Sequence, residues 1–341
     1  MLAFVQFRVR LEGPKSKEKK MIPKLSHLIR SGLVLAVFIV PALAHSETWQ
    51  LKAGAQADQK AHQVKAFLPN EIWIHGGDSI TWTFASDDEH TVTFLLPGQV
   101  RPAFQVGCPG TTPDGSLETG TECVNSGVSA NGNSYTVTFP VAGNFKLVCL
   151  VHIMMTATVH VLDLSQPLPH SQAFYDREAD QQRDELLFDT LVSTHHVHAA
   201  NVVEAGGGSV VATGGGFSTA SIARFMEPTK VAHVGETVEW TNFEASTIHT
   251  VTFGAEPANL TPPSANVTLD ADGARHAVIS SPSDSAHSGF IGPAPQDRTG
   301  LAQAPLGVTR FRVTFTQPGV FKYICALHDE IGMVGEVIVL P

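Results

Sequence analysis

Beyond residue 44 this 341-residue chain is short of basic side chains. Its first 44 residues hold eight Lys and Arg against two Asp and Glu; the remainder keeps 14 basic and 30 acidic groups, a formal charge of −16. That balance argues against nucleic acid and anionic membrane surfaces as partners, because both are bound through clustered positive charge. It suits a basic protein partner. Long apolar runs are scarce too. The uncharged stretch from Ser31 to Ala44 is shorter than the roughly 20 residues a spanning helix needs, and Pro41 interrupts its end. There is no Ser-His-Asp order, phosphate-binding glycine loop or zinc-protease motif, and the glycine runs lack a G-x-G-x-x-G context. Cysteine is rare, with four in all.

What is present begins with an export signal. Lys15, Lys17, Lys19, Lys20, Lys24 and Arg30 precede the apolar stretch, which ends in Ala42-Leu43-Ala44. A positive region, a short apolar region and a small-x-small site make residues 1–44 a signal peptide, with Met21 as an alternative start. The expectation is an exported protein, periplasmic or extracellular, attached to a membrane only if the signal stays uncleaved. After export, Cys108 and Cys123, in the loop GCPGTTPDGSLETGTEC, read as a local disulfide.

The rest of the chain says the same thing twice. Phe67 to Trp82 and Phe225 to Trp240 are both 15-residue intervals, and each half continues to a His-Thr-Val-Thr-Phe, at 90–94 and 249–253. Later, YTVTFPVAGNFKLVC (135–149) matches FRVTFTQPGVFKYIC (311–325). Duplication accounts for this. Short runs of β-branched and aromatic residues, separated by turns such as Gly76-Gly77-Asp78 and Pro318-Gly319, predict an all-β protein. The expected architecture is two tandem Greek-key β-sandwiches, residues 45–164 and 208–341. They are joined by a linker, 165–207, with one partly amphipathic helix at about 170–191.

Two sets of residues carry chemistry. In the first repeat they are His90, Cys149, His152 and Met155; in the second, His249, Cys325, His328 and Met333. One thiolate, two imidazoles and a long axial thioether are the ligands of a blue copper site. One His comes from an early strand, while Cys, His and Met leave a late strand in a single loop, so that loop can present three ligands to one point. Met154, beside Met155, reads as core filler, with an axial role as the alternative.

These residues resemble the cupredoxin family. Cys149-x-x-His152-x-x-Met155 has the spacing of amicyanins, and Cys325-x-x-His328-x4-Met333 is similar to plastocyanins and pseudoazurins. The resemblance implies two type 1 copper ions per chain, electron transfer with redox partner proteins, and exit of electrons through solvent-side edges at His152 and His328. Many family members carry Asn after the first ligand His; here Thr91 and Thr250 stand in that place. The reading favours an electron carrier over an enzyme. The alternative is a copper-dependent oxidoreductase of nitrite-reductase type, with an extra copper at His195, His196 and His198. A trinuclear cluster is disfavoured, because neither Cys149 nor Cys325 is flanked by histidines.

Overall fold

A computed structural model describes residues 46–102, 108, 110–192, 199–244, 246–292 and 308–341. The signal segment and the His195–His198 cluster lie outside the described residues. Strands alternate as their sequences require. In Ser79–Phe84, Ile80, Trp82 and Phe84 are buried while the intervening threonines face outward. Arg310–Phe315 does the same with Phe311, Val313 and Phe315.

Each repeat is a sandwich. In the first, Glu71–His75, Thr156–Leu162, Gly143–Val148, Thr93–Phe94 and Val124–Asn125 form one sheet, and Thr48–Gln56, Ser79–Phe84 and Ser134–Thr138 lie in the other. The second repeat builds its counterpart sheet from Thr229–His233, Val334–Leu340, Gly319–Ile324, Thr252–Phe253 and Ala286–His287. Trp82 and Trp240 fill equivalent places in the two cores, packed on Phe94 and Phe253 with ring centroids 6.0 and 5.6 Å apart. Truncating either Trp to Ala would cost about 3–5 kcal/mol. Cys149 and Met155 belong to the first core, Cys325 and Met333 to the second. These candidate ligand residues therefore sit in packed scaffolding.

The sandwiches are not beads on a string. Strand His62–Leu68 of the first pairs antiparallel with Phe217–Met226 of the second, Lys65 opposite Thr219 and Val64 opposite Ala220. That pairing fuses their outer sheets into one sheet of eleven strands. The helix Gln172–Val192 matches its predicted span and lays Tyr175, Ala179, Leu186 and Thr190 inward. Ala179 and Leu186 pack with Val64, Ala66, Leu68 and Ala220 over the junction. Among the described residues no helix is long and apolar enough to cross a membrane.

The linker is shorter than the sequence predicts. Val202–Ala212, with Gly206, Gly207 and Gly208, is a strand, not a connection. Glycine fits here for a steric reason: Gly206 lies at a register shift with φ +74°, and a Cβ on it would run into His249. Gly54 repeats the device in the first sandwich, again with φ +74° and at a register shift, under His90. Cys108 and Cys123 are joined as the predicted disulfide, their Cα atoms 5.7 Å apart.

Candidate metal centres

The first ligand histidine of each repeat is held by an isolated antiparallel bridge, His90 against Ser129 and His249 against Ile291. The cysteine directly follows a strand, Gly143–Val148 or Gly319–Ile324, and its loop closes on itself: Cys149 N–H donates to the Met155 carbonyl and Cys325 N–H to the Met333 carbonyl, both at 3.0 Å. The loop thus returns the methionine beside the cysteine in both halves.

The predicted residues converge. His90 Nδ1 and His152 Nδ1 are 3.1 Å apart, and Cys149 Sγ lies 3.9 Å from His152 Nδ1. In the second repeat His249 Nδ1 and His328 Nδ1 are 3.2 Å apart, with Cys325 Sγ at 3.7 and 3.4 Å from them. All six residues are buried, and in each trio the donor atoms lie within 4.8 Å of one another. Met155 and Met333 are fully buried, whereas Met154 is partly exposed and its carbonyl accepts from Thr219 Oγ1 of the other sandwich. Of the two candidate axial donors in the first loop, Met155 is the one in the core.

The donor sets fit copper by their chemistry. A soft sulfur and two imidazole nitrogens are gathered in a dry, preformed pocket. The sulfurs also receive backbone N–H groups, from Thr91 and His152 to Cys149 and from Thr250 to Cys325, each at 3.4 Å. Such donors favour thiolate over thiol. Thr91 and Thr250 tie the two ligand segments together, each hydroxyl accepting at 2.8 Å from the residue after the cysteine, Leu150 or Ala326. A hydroxyl thus bridges the two segments in each repeat.

The outer nitrogens of the imidazoles differ between the sites. His90 Nε2 meets the Ser86 hydroxyl at 2.8 Å, while His249 Nε2 meets a Glu244 carboxylate oxygen at 2.9 Å. Burial pushes His90 down to about 4, against the pull of Asp88. Burial also works against a charged His249, but Cys325 and Glu244 beside it hold it up to about 9. Burial raises the Cys149 thiol. At Cys325 the same burial is outweighed by His328 and His249, which bring the thiol well below its ordinary range.

The loop histidines do not form solvent-side edges. His152 is 1% exposed and His328 6%, because the two sandwiches turn these residues toward each other. Between them stands Asp88, with Oδ2 3.4 Å from His152 Nε2 and Oδ1 3.9 Å from His328 Nε2. Burial alone would raise its pKa, yet His152, Lys65 and His328 bring Asp88 well below the ordinary carboxylate range. A cavity of about 400 Å³ adjoins the three, lined also by Lys60, Glu89 and Glu330. Lys65, from the first sandwich, lies 3.6 Å from Asp88 and 2.5 Å from Glu244 of the second. Sequence reading missed Asp88, Lys65, Ser86 and Glu244. The closeness of Asp88 and Ser86 to His90, and of Glu244 to His249, was the available signal, but pairing across repeats has no sequence signature.

A family model for copper binding proteins of the plastocyanin/azurin family matches residues 219–340. No curated protein sequence matches. Among solved structures, a purple cupredoxin from Nitrosopumilus maritimus is 18% identical over 33% of this chain and 99% of its own, with a TM-score of 0.23. A pseudoazurin from Hyphomicrobium denitrificans is 15% identical over 33% of this chain and 74% of its own (TM-score 0.22). A blue copper oxidase from Nitrosomonas europaea is 13% identical over 86% of each chain, also with a TM-score of 0.22. The second repeat thus matches the copper binding proteins of the plastocyanin/azurin family, and the same buried His–Cys–His set, able to hold a metal ion, recurs in both repeats.

Proposed function

We propose that this is an exported electron-transfer protein holding two type 1 copper ions, and that its two sites exchange electrons with each other. When bound, copper supplies a one-electron couple; everything else is done by the chain. His90, Cys149, His152 and Met155 would hold the first ion; His249, Cys325, His328 and Met333 would hold the second. The packed sandwiches keep these donors fixed, so little reorganisation accompanies a change of charge. One observation carries the exchange: the outer nitrogens of His152 and His328 both lie within 3.9 Å of the same carboxylate, Asp88. A carrier serving only outside partners gains nothing from burying both edges against each other. The external partner on this reading is a redox protein with a basic surface, matched to the formal charge of −16 beyond residue 44.

Metal analysis and absorption test the reading. Two coppers per chain, both with intense thiolate charge-transfer absorption, are expected, and Cys149→Ser or Cys325→Ser each removes one. After rapid one-electron reduction, the two centres should re-equilibrate at a rate independent of protein concentration. A rate proportional to concentration would mean that exchange occurs only between molecules. A third, weakly coloured copper lost on replacing His195, His196 and His198 would favour the oxidoreductase reading instead.

A further inference from the structure

We infer that Glu244 sets the direction of electron flow, by making the second site the better electron donor of the pair. The inference rests on the two-copper reading above and deepens it. The two sites are built from the same donor types, so beyond the different spacing of their Cys-to-Met loops, a difference between them comes from what touches those donors. The first-strand histidine offers the clearest contrast. A neutral hydroxyl, Ser86, meets His90 Nε2; a carboxylate, Glu244, meets His249 Nε2 at nearly the same distance. Each partner comes from the same stretch of its repeat, four residues before His90 and five before His249. Each also packs beside the bulge glycine that makes room for the ring, Gly54 or Gly206.

A carboxylate accepting from the outer N–H of a ligating imidazole makes that imidazole a stronger donor. It also places a fixed negative charge near the ion, in surroundings where charge is poorly screened. Both effects favour the oxidised, more positive ion. Glu244 is fully buried and keeps its charge through a buried ion pair with Lys65 and a hydrogen bond from Thr247. Lys65 softens the effect, but it lies on the far side of the carboxylate, bonded to Oε1 while His249 meets Oε2. The first site has the opposite bias. The Arg101 guanidinium donates to the carbonyls of Cys149 at 2.8 Å and Leu150 at 2.9 Å, putting positive charge beside that thiolate. Asp88 faces both loop histidines, at 3.4 Å from His152 and 3.9 Å from His328, so it lessens the contrast, but no carboxylate meets His90 Nε2 as Glu244 meets His249.

Spectroelectrochemical titration of the full chain tests this, with Cys325→Ser reporting the first site alone and Cys149→Ser the second. The second site should have the lower reduction potential. Glu244→Gln in the Cys149→Ser background keeps the size and an acceptor but removes the charge. It should shift the equilibrium of the second site toward the reduced form by about tenfold or more, ~59 mV for one electron, and leave the first site in the Cys325→Ser background unmoved. Intact blue colour with an unshifted or lowered potential overturns the role of Glu244. Should Glu244→Gln fail to bind copper, Ser86→Asp in the Cys325→Ser background asks the mirror question: a lowered first-site potential supports the inference and an unchanged one overturns it. Absence of blue colour in the Cys149→Ser parent itself would overturn the two-copper reading, and this inference with it.

Discussion

Lys65 Nζ of the first sandwich lies 2.5 Å from Glu244 Oε1 of the second, and neither side chain is more than 1% exposed. The same ammonium donates to Ser221 Oγ at 2.8 Å and to Thr247 Oγ1, and faces Asp88 at 3.6 Å. One buried cation thus balances two buried carboxylates, each touching ligand histidines. Removing it should be costly, because a partner stripped of its counterion stays buried and charged. Lys65→Met is expected to lower stability by about 3–5 kcal/mol, read by denaturant unfolding. A loss below about 1 kcal/mol would mean that water reaches the junction.

The loop methionines Met155 and Met333 give a second prediction. Met155→Leu and Met333→Leu change volume little and should cost under about 1.5 kcal/mol. On the two-copper reading each removes a sulfur that would donate to the oxidised ion, so each should raise the potential of its own site and leave the other unchanged. An unmoved potential in Met155→Leu, together with a shift in Met154→Leu, would reassign the axial donor of the first site.

The threonines after the first histidines make a third. Thr91→Val or Thr250→Val leaves the N–H of Leu150 or Ala326 buried without its acceptor. The expected cost is about 1–3 kcal/mol. Because that N–H follows the cysteine directly, the altered site should also release copper faster to a chelator than the unaltered site in the same molecule.

Glu118 supplies a pH prediction. It is buried in the disulfide-closed insertion, where burial raises its pKa to about 7 from an ordinary 4.5, against one hydrogen bond from the Gly120 N–H. Between those two values the folded chain binds more protons at this carboxyl than the unfolded chain does. The contribution of Glu118 to stability is therefore full below about pH 4.5 and falls as pH rises through about 7. Glu118→Gln should flatten that slope and be more stable than the parent at pH 8. Parallel unfolding curves for both proteins from pH 5 to 8 would contradict this.

How far the sequence reached depends on the range of the interaction. The alternation in Ser79–Phe84, the helix near Gln172–Val192 and the Cys-to-Met loops were legible because each is encoded over a few neighbouring residues. The Gly-rich run at Gly206–Gly208 was not. Glycines weaken any local strand signal, and what makes that stretch a strand is its pairing with Phe217–Met226 and the room it leaves for His249.

The sequence by itself determined the two sandwiches and brought out both candidate donor sets, since periodicity and donor spacing are local and were written twice. Only the tertiary structure decided how the sites stand to each other. Pairing His62–Leu68 with Phe217–Met226 turned His152 and His328 inward onto Asp88 and brought Lys65 to Glu244. The longest of those contacts, His328 with Asp88, joins residues 240 positions apart. Their formation depends on the burial of a shared surface, which no local pattern records.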